Sequence, residues 1–268
     1  MELITGSAAL ARRLEDADAR NAALAAEAQQ RIRPFEGESG FAIAGGFAAF
    51  AGAGSPFTHA VGIGMSGPVS AADIDRIEEF YFSRECNVNL DLCPFADPTL
   101  PDLLGRRGYR VVEFNNILVR RLTTPSEPAD PRIEQVNGET VADWSRMLAE
   151  GFFEHEPSID ELEIGRAVFG MRGAAAFCLN IDGNAASGGA ACIHSGLAVL
   201  FGDATLPRFR GRGLQTALIS RRLSWAIANV ADLATAATLP GTVSQRNYER
   251  SGFRVAYAKV NMQRDWPT

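Results

Sequence analysis

The stretch Thr205-Leu206-Pro207-Arg208-Phe209-Arg210-Gly211-Arg212-Gly213-Leu214-Gln215-Thr216 decides how this chain is read. It lies between an apolar run with strand character, 197–205, and a segment whose Ile219, Leu223, Ile227 and Val230 share one helical stripe. Glycines at 211 and 213 let backbone N–H groups turn toward one point with no Cβ in the way. A helix beginning at Leu214 presents unpaired N–H groups and the positive end of its dipole to that point. Arg208, Arg210 and Arg212 add positive charge. The arrangement is a cradle for an anion, and pyrophosphate is its natural occupant. The same residues also fit a tight strand-to-helix turn with solvated arginines. A P-loop is excluded, because the spacing and the lysine of GxxxxGK[ST] are missing, and the third glycine of GxGxxG is missing too.

Working outward, Leu233 to Leu239 reads as a strand ending at Pro240, followed by a short helix 244–250 and an extended segment 253–262. Upstream, 133–136 is a strand, 141–153 and 161–169 are helices, and 174–181 and 185–194 are strands. Arg210-Gly211-Arg212-Gly213-Leu214-Gln215 resembles the R-x-x-G-x-G/A acyl-CoA loop of the GNAT acetyltransferase superfamily. Ser244-Gln245-Arg246-Asn247-Tyr248-Glu249-Arg250-Ser251-Gly252-Phe253 resembles that family's second motif, which ends in Tyr-x-x-x-Gly-Phe. The order of elements from Ile133 to Met262 matches as well, so the resemblance covers about half the chain. Two departures stand out: Gln215 in place of the final Gly/Ala, and Gly241 where many members have an asparagine that touches pantetheine. Asn247 or Ser244 is the expected substitute for that contact.

The resemblance implies an α/β fold. It is expected as two tandem GNAT-like domains, each a mixed, mostly antiparallel twisted sheet flanked by helices, with splayed central strands in the C-terminal one. The expected division is a degenerate domain at 1–124, a proline-rich linker at 125–131 and a catalytic domain at 132–268. Arg106-Arg107-Gly108-Tyr109-Arg110-Val111 parallels Arg250-Ser251-Gly252-Phe253-Arg254-Val255, each after a strand, a proline and a short helix, which reads as a weak internal repeat. Ser70 is a plausible N-cap for a helix carrying Ile74, Ile77, Phe80 and Tyr81. The corresponding N-terminal loop, Ser66-Gly67-Pro68-Val69-Ser70, has no arginine, and Pro68 removes a donor. A literal GxGxxG does occur at Gly62-Ile63-Gly64-Met65-Ser66-Gly67; it reads as the glycine-rich end of a strand, with its first two glycines inside that strand.

The resemblance also implies direct attack of an amine on the thioester of acetyl-CoA, the only cosubstrate called for. Ala204, Thr205, Leu206, Arg210, Gly211, Arg212, Gly213, Leu214, Gln215, Thr216, Ser244 and Asn247 are the expected contacts. A backbone N–H near Thr205 or Leu206 is expected to polarise the carbonyl. Tyr248 holds the tyrosine position of the second motif and is expected to return a proton to the thiolate. Asp203, on the strand beside the acetyl group, is the first candidate base; its alternative is a carboxylate held by a loop arginine. His194, Glu154, His155 and Glu156 are weaker candidates, while Cys178 and Cys192 read as packing.

Composition bounds the rest. The 268 residues are 46% hydrophobic and 22% charged, with a formal net charge of −6. That balance suits a globular protein and disfavours nucleic-acid or anionic-membrane partners. Lys259 is the only lysine, an arginine bias that reads as bacterial genome composition. Four cysteines without a CxxC pair, and three histidines without ligand spacing, point to a reducing cytoplasm and no metal. No signal peptide is read at Glu2, Arg12, Arg13, Glu15 and Asp16. The expected partner is a small-molecule or peptide amine, bound by a monomer or homodimer. Two other classes remain: a CoA-binding regulatory protein without turnover, and a dinucleotide oxidoreductase using Gly62–Gly67.

Overall fold

The computed structural model describes residues 6–34, 37–123 and 130–267. In chain order the elements are α1 (Ala8–Ile32), β1 (Gly40–Ile43), β2 (Gly46–Ala49), β3 (His59–Val61), α2 (Ala71–Phe82), β4 (Val88–Leu92), α3 (Thr99–Arg106) and β5 (Arg110–Arg121). There follow β6 (Ile133–Gln135), α4 (Val141–Phe153), α5 (Ile159–Gly170), β7 (Ala174–Ile181), β8 (Asn184–His194), β9 (Leu197–Thr205), α6 (Leu214–Ala228), β10 (Leu233–Thr238), α7 (Val243–Arg250) and β11 (Arg254–Arg264). Local chemistry explains several boundaries. Ser70 and Asp73 close a capping box at α2, and Ser158 and Glu161 close one at α5, each serine oxygen accepting the third amide of its helix.

The chain divides into two compact units: 1–117 with 255–268, and 118–254. In the first, strands run in the order β1-β2-β3-β4-β11-β5. The β1/β2, β2/β3 and β4/β11 pairs are antiparallel and β3/β4 is parallel. Helix α1 lays Ala19, Ala22 and Ala26 against Ala49 and Val61, small side chains that let a helix lie close on a sheet. On α2, Ile74, Ile77 and Tyr81 meet Leu90 of β4 and Leu100 and Leu104 of α3. In the second unit, the end of β5 is followed by β10-β9-β8-β7-β6, with β9/β10 parallel and β6/β7, β7/β8 and β8/β9 antiparallel. Helix α6 buries Leu214, Leu218, Ile219, Leu223 and Ala226. Val230 is not on that stripe: it lies beyond the helix, 86% exposed, with φ +63°.

This division differs from one at 125–131. The repeat in sequence assigns 255–268 to the second half, but β11 pairs with β4 from Val260↔Leu92 to Arg264↔Val88 and so completes the first sheet. Leu118 of β5 correspondingly accepts a hydrogen bond from Thr235 of β10 at 2.9 Å. Most of the linker, residues 125–129, lies outside the described residues. The repeat itself is visible in geometry. Tyr109 N bonds Leu104 O and Phe253 N bonds Tyr248 O, both at 3.1 Å, across a glycine with φ +77° in one ending and +85° in the other. A left-handed glycine ending a helix in this way satisfies its last carbonyls.

Candidate active site

Parallel pairing of β9 with β10 covers Leu197↔Leu233, Ala198↔Ala234 and Val199↔Thr235. Beyond it, β9 runs on to Thr205 and β10 to Thr238. The opposite side of β9 is irregular. Its pairing with β8 passes from Ala190↔Phe201 to Gly188↔Ala204, leaving Gly202 and Asp203 facing Gly189 in a bulge. Gly202 takes φ +65° there. A Cβ on Gly189 would come within 2.8 Å of the Arg222 guanidinium and 3.1 Å of Asp203 Oδ1, so the bulge requires glycine at this point.

That crowding marks a buried polar triad. The carboxylate of Asp203 pairs with Arg222 Nη2 through one oxygen and accepts from the Tyr248 hydroxyl through the other. Arg222 is fully buried and donates to the carbonyls of Leu218, Ala190 and Phe201. Burial presses its pKa down, Asp203 outweighs this, and the net shift is up. Tyr248 is 1% exposed, its ring edge-on to Phe253 at 5.0 Å. Burial drives its pKa well above 10, with Arg222 opposing and Asp203 adding. The two expected catalytic side chains are therefore in direct contact. Asp203 is held by an arginine, but one from α6 rather than from the loop. Reading the sequence missed Arg222, although its signal was present: it sits four residues from both Leu218 and Ala226 on the buried stripe.

The loop follows β9. Pro207–Phe209 form a 3-10 turn, Gly211 and Gly213 take φ +76° and +74°, and α6 starts at Leu214 with Gly213 as its N-cap. Apart from their chain neighbours, no residue comes within 4 Å of a Cβ built on either glycine. Gly213 caps the helix, and the position of the expected final Gly/Ala, held here by Gln215, falls in its first turn. Gln215 already belongs to α6, where it bonds Ser244 Oγ and Asn247 Nδ2, both at 2.8 Å, tying α7 to α6.

The arginines are also differently used. Arg210 bonds Thr205 O and Gly151 O and pairs with Glu154 at 2.8 Å, stapling the loop to the end of α4. Arg208 pairs with Glu150 at 3.1 Å, and Arg212 donates to Arg208 O at 3.4 Å. Leu206 and Leu214 are core residues, and so is Ala204, whose carbonyl accepts from Ser187. The Ser187 and Thr205 hydroxyls bond at 2.7 Å. Leu206 N donates to Ala186 O at 3.1 Å, so the amide expected to polarise a carbonyl is already occupied. Thr216 is half-buried in the first turn of α6. Gly241 takes φ +75°, a left-handed conformation that glycine adopts freely.

Other candidates fall away from this place. His194 pairs in register with Leu197, at the end of β9 remote from Asp203. His155 and Glu156 contact Glu161 and Arg146 beyond α4. Burial pushes the Cys178 thiol up to about 12 and raises Cys192 too, which keeps both protonated. At Gly62–Gly67 the strand ends at Val61, so all three glycines lie in the loop and none inside the strand, and β3-α2-β4 forms a parallel crossover. Among the described residues no His/Cys/Asp/Glu group is arranged for a metal ion, and no helix is long and apolar enough to cross a membrane.

No family model and no curated protein matches the chain. Solved structures do. A GCN5-related N-acetyltransferase from Kribbella flavida aligns with a TM-score of 0.64 and 17% identity, covering 92% of this chain and 95% of that one. One from Sphaerobacter thermophilus gives 0.58 and 16%, covering 98% and 95%. A tandem GNAT protein from the clavulanic acid biosynthesis pathway gives 0.54 and 12%, covering 74% and 70%. The chain has the GNAT fold.

Proposed function

We propose that the chain is an N-acyltransferase that transfers the acetyl group of acetyl-CoA to an amine. The carrying observation is the Gly211/Gly213 turn, which opens α6 past the last paired residues of β9 and β10 with open space where a Cβ on either glycine would lie. The backbone of Gly211–Thr216 would hold the pyrophosphate, Arg208 and Arg212 would add charge, and Ser244 and Asn247 would bound the pantetheine side. When bound, acetyl-CoA supplies the thioester carbonyl for attack and the thiolate that leaves. Tyr248 stays protonated at neutral pH and is assigned the return of a proton to that thiolate, while Asp203, anchored by Arg222, orients it. The reading places the protein in the cytoplasm, which accords with four free buried cysteines.

Release of free thiol from acetyl-CoA, followed across polyamines, amino acids, aminoglycosides and peptides with free N-termini, tests the assignment. Binding without thiol release for any amine would leave a CoA-binding regulatory protein instead. Within an active assay, Tyr248→Phe is expected to lower kcat by ~10²-fold with acetyl-CoA affinity near wild type. Wild-type kcat would reduce Tyr248 to a support for Asp203. Acetyl-CoA is expected to bind once per chain, since the first unit's loop lacks the arginine pattern and carries Pro68; calorimetric stoichiometry reads this directly.

A further inference from the structure

We propose that the Thr238 hydroxyl is the donor that holds the carbonyl oxygen of the acyl thioester, a contact that rests on the acyltransferase reading. Thr238 ends β10 and is 5% exposed, yet its Oγ1 has no hydrogen-bond partner among the described residues. Other hydroxyls of this region are engaged. Thr235 donates to Leu118 O at 2.9 Å, Thr242 donates to Leu239 O at 2.8 Å, and Thr205 bonds Ser187 at 2.7 Å. Among the described residues of the second unit, one other buried hydroxyl lacks a partner, that of Ser145. It lies between α4 and α5, where a Cβ on Gly165 would come within 2.8 Å of it, and is a packing contact. A buried hydroxyl without a partner is costly, and valine would fill the same space in a strand without that cost. Threonine at 238 is explained by a partner that arrives with a ligand.

The position in the sheet says which group of the ligand that is. β9 and β10 pair in parallel as far as Val199↔Thr235. Thr238 stands three residues beyond Thr235, as Gly202 stands three beyond Val199, so it is level with the Gly202–Asp203 bulge. Alternation puts it on the strand face of Ala234 and Ala236, which pack with Tyr248 and Phe253. Ala237, on the opposite face, is exposed. Tyr248 reaches the same level from α7, because its hydroxyl bonds Asp203. A thioester has two atoms that gain negative charge during acyl transfer, the carbonyl oxygen and the sulfur. Tyr248 is assigned to the sulfur. Leu206 N is taken by Ala186 O, and Thr238 supplies the donor that the oxygen needs. No covalent bond changes at Thr238, whose proton stays on Oγ1 throughout.

Acetyl-CoA isotopically labelled at the acetyl carbonyl, bound to the full chain, reports this contact in its infrared stretch. The band is expected at lower frequency in the unsubstituted chain than in Thr238→Val, which keeps the shape and removes the donor. Thr238→Ser keeps the donor and should hold the lower frequency. In thiol release, Thr238→Val should lower kcat by ~10²-fold and Thr238→Ser by less than ~10-fold. The urea midpoint of unliganded Thr238→Val should not fall below wild type, since no contact is lost. A fallen midpoint with an unmoved band would make the hydroxyl structural and overturn the proposal. So would one carbonyl frequency in both chains, or an equal loss of affinity for acetyl-CoA and CoA, which would put the hydroxyl on the pantetheine arm. A lowered band without thiol release for any amine would leave this contact standing and end the transfer reading. No acetyl-CoA binding to the unsubstituted chain would overturn both.

Discussion

Gly213→Glu is expected to remove acetyl-CoA binding from a chain that still folds. Gly213 sits at φ +74°, where a Cβ costs ~1–2 kcal/mol, and it caps α6 with open space before it. The new carboxylate would project into that space. Two like charges ~4 Å apart near a protein surface repel by ~4 kcal/mol, a loss of ~10³-fold in affinity. Gly213→Ala separates the causes, since it brings the strain without the charge and should lose only a few-fold in affinity. Calorimetry on the folded Glu variant decides. Affinity equal to wild type would mean that the cofactor does not use this loop.

The second large effect concerns stability. Lys259 is 3% exposed, with its ammonium 3.1 Å from Glu15, 2.7 Å from Asp18 and 3.8 Å from Asp91. Glu15 is 1% exposed and also accepts from Tyr257 at 2.6 Å; Asp91 accepts from Asn261 and pairs with His59 at 3.3 Å. Burial presses the Lys259 pKa down, but Asp18, Glu15 and Asp91 outweigh it and the net shift is well up. Lys259→Met keeps the aliphatic stem and strands the carboxylates without their cation. Removing one partner of a buried ion pair typically costs ~3–5 kcal/mol, and a urea midpoint should show a loss of that order. A loss below ~1 kcal/mol would mean the carboxylates are not charged in the native state.

The same cluster sets a pH dependence. Burial raises the pKa of Glu15, with Lys259 opposing, and His59 is raised because Asp91 outweighs burial. Both groups bind protons more tightly folded than unfolded. Their contribution is thus present at low pH and is lost as pH rises through the raised values. Asp91 is shifted down: burial opposes, but His59 and Lys259 win. Its contribution is present above the ordinary carboxylate range and lost as pH falls through its depressed value. Thermal midpoints are therefore expected to be higher near pH 5–6 than at pH 8. A flat profile would contradict the cluster's role.

Local features were readable from the chain alone. Ser70 caps α2 because its oxygen reaches an amide three residues on, a relation that needs no tertiary partner. Gly108 and Gly252 end their helices in one geometry because the left-handed turn is steric and local. Gly211 and Gly213 turn as their lack of Cβ permits, and α4 spans the residues expected of it. The GNAT resemblance, drawn from two motifs, agrees with a fold that aligns over most of the chain.

What only the tertiary structure decided lies in partners far apart along the chain. The sequence did not indicate that β11 would join β4, because strand hydrogen bonds are alike at any compatible edge. The choice goes with Lys259 and its partner Asp18, 241 positions away. Nor did it place Tyr248 and Arg222 on opposite oxygens of Asp203, since that contact depends on a bulge opposite Gly189. Arg12 meets the carbonyl of Met65 in the glycine loop only when α1 folds over it. Steric and capping rules act within a few residues and are written into the sequence. Charge pairing in a buried site depends on which distant elements burial brings together, and that is settled only by the packed chain.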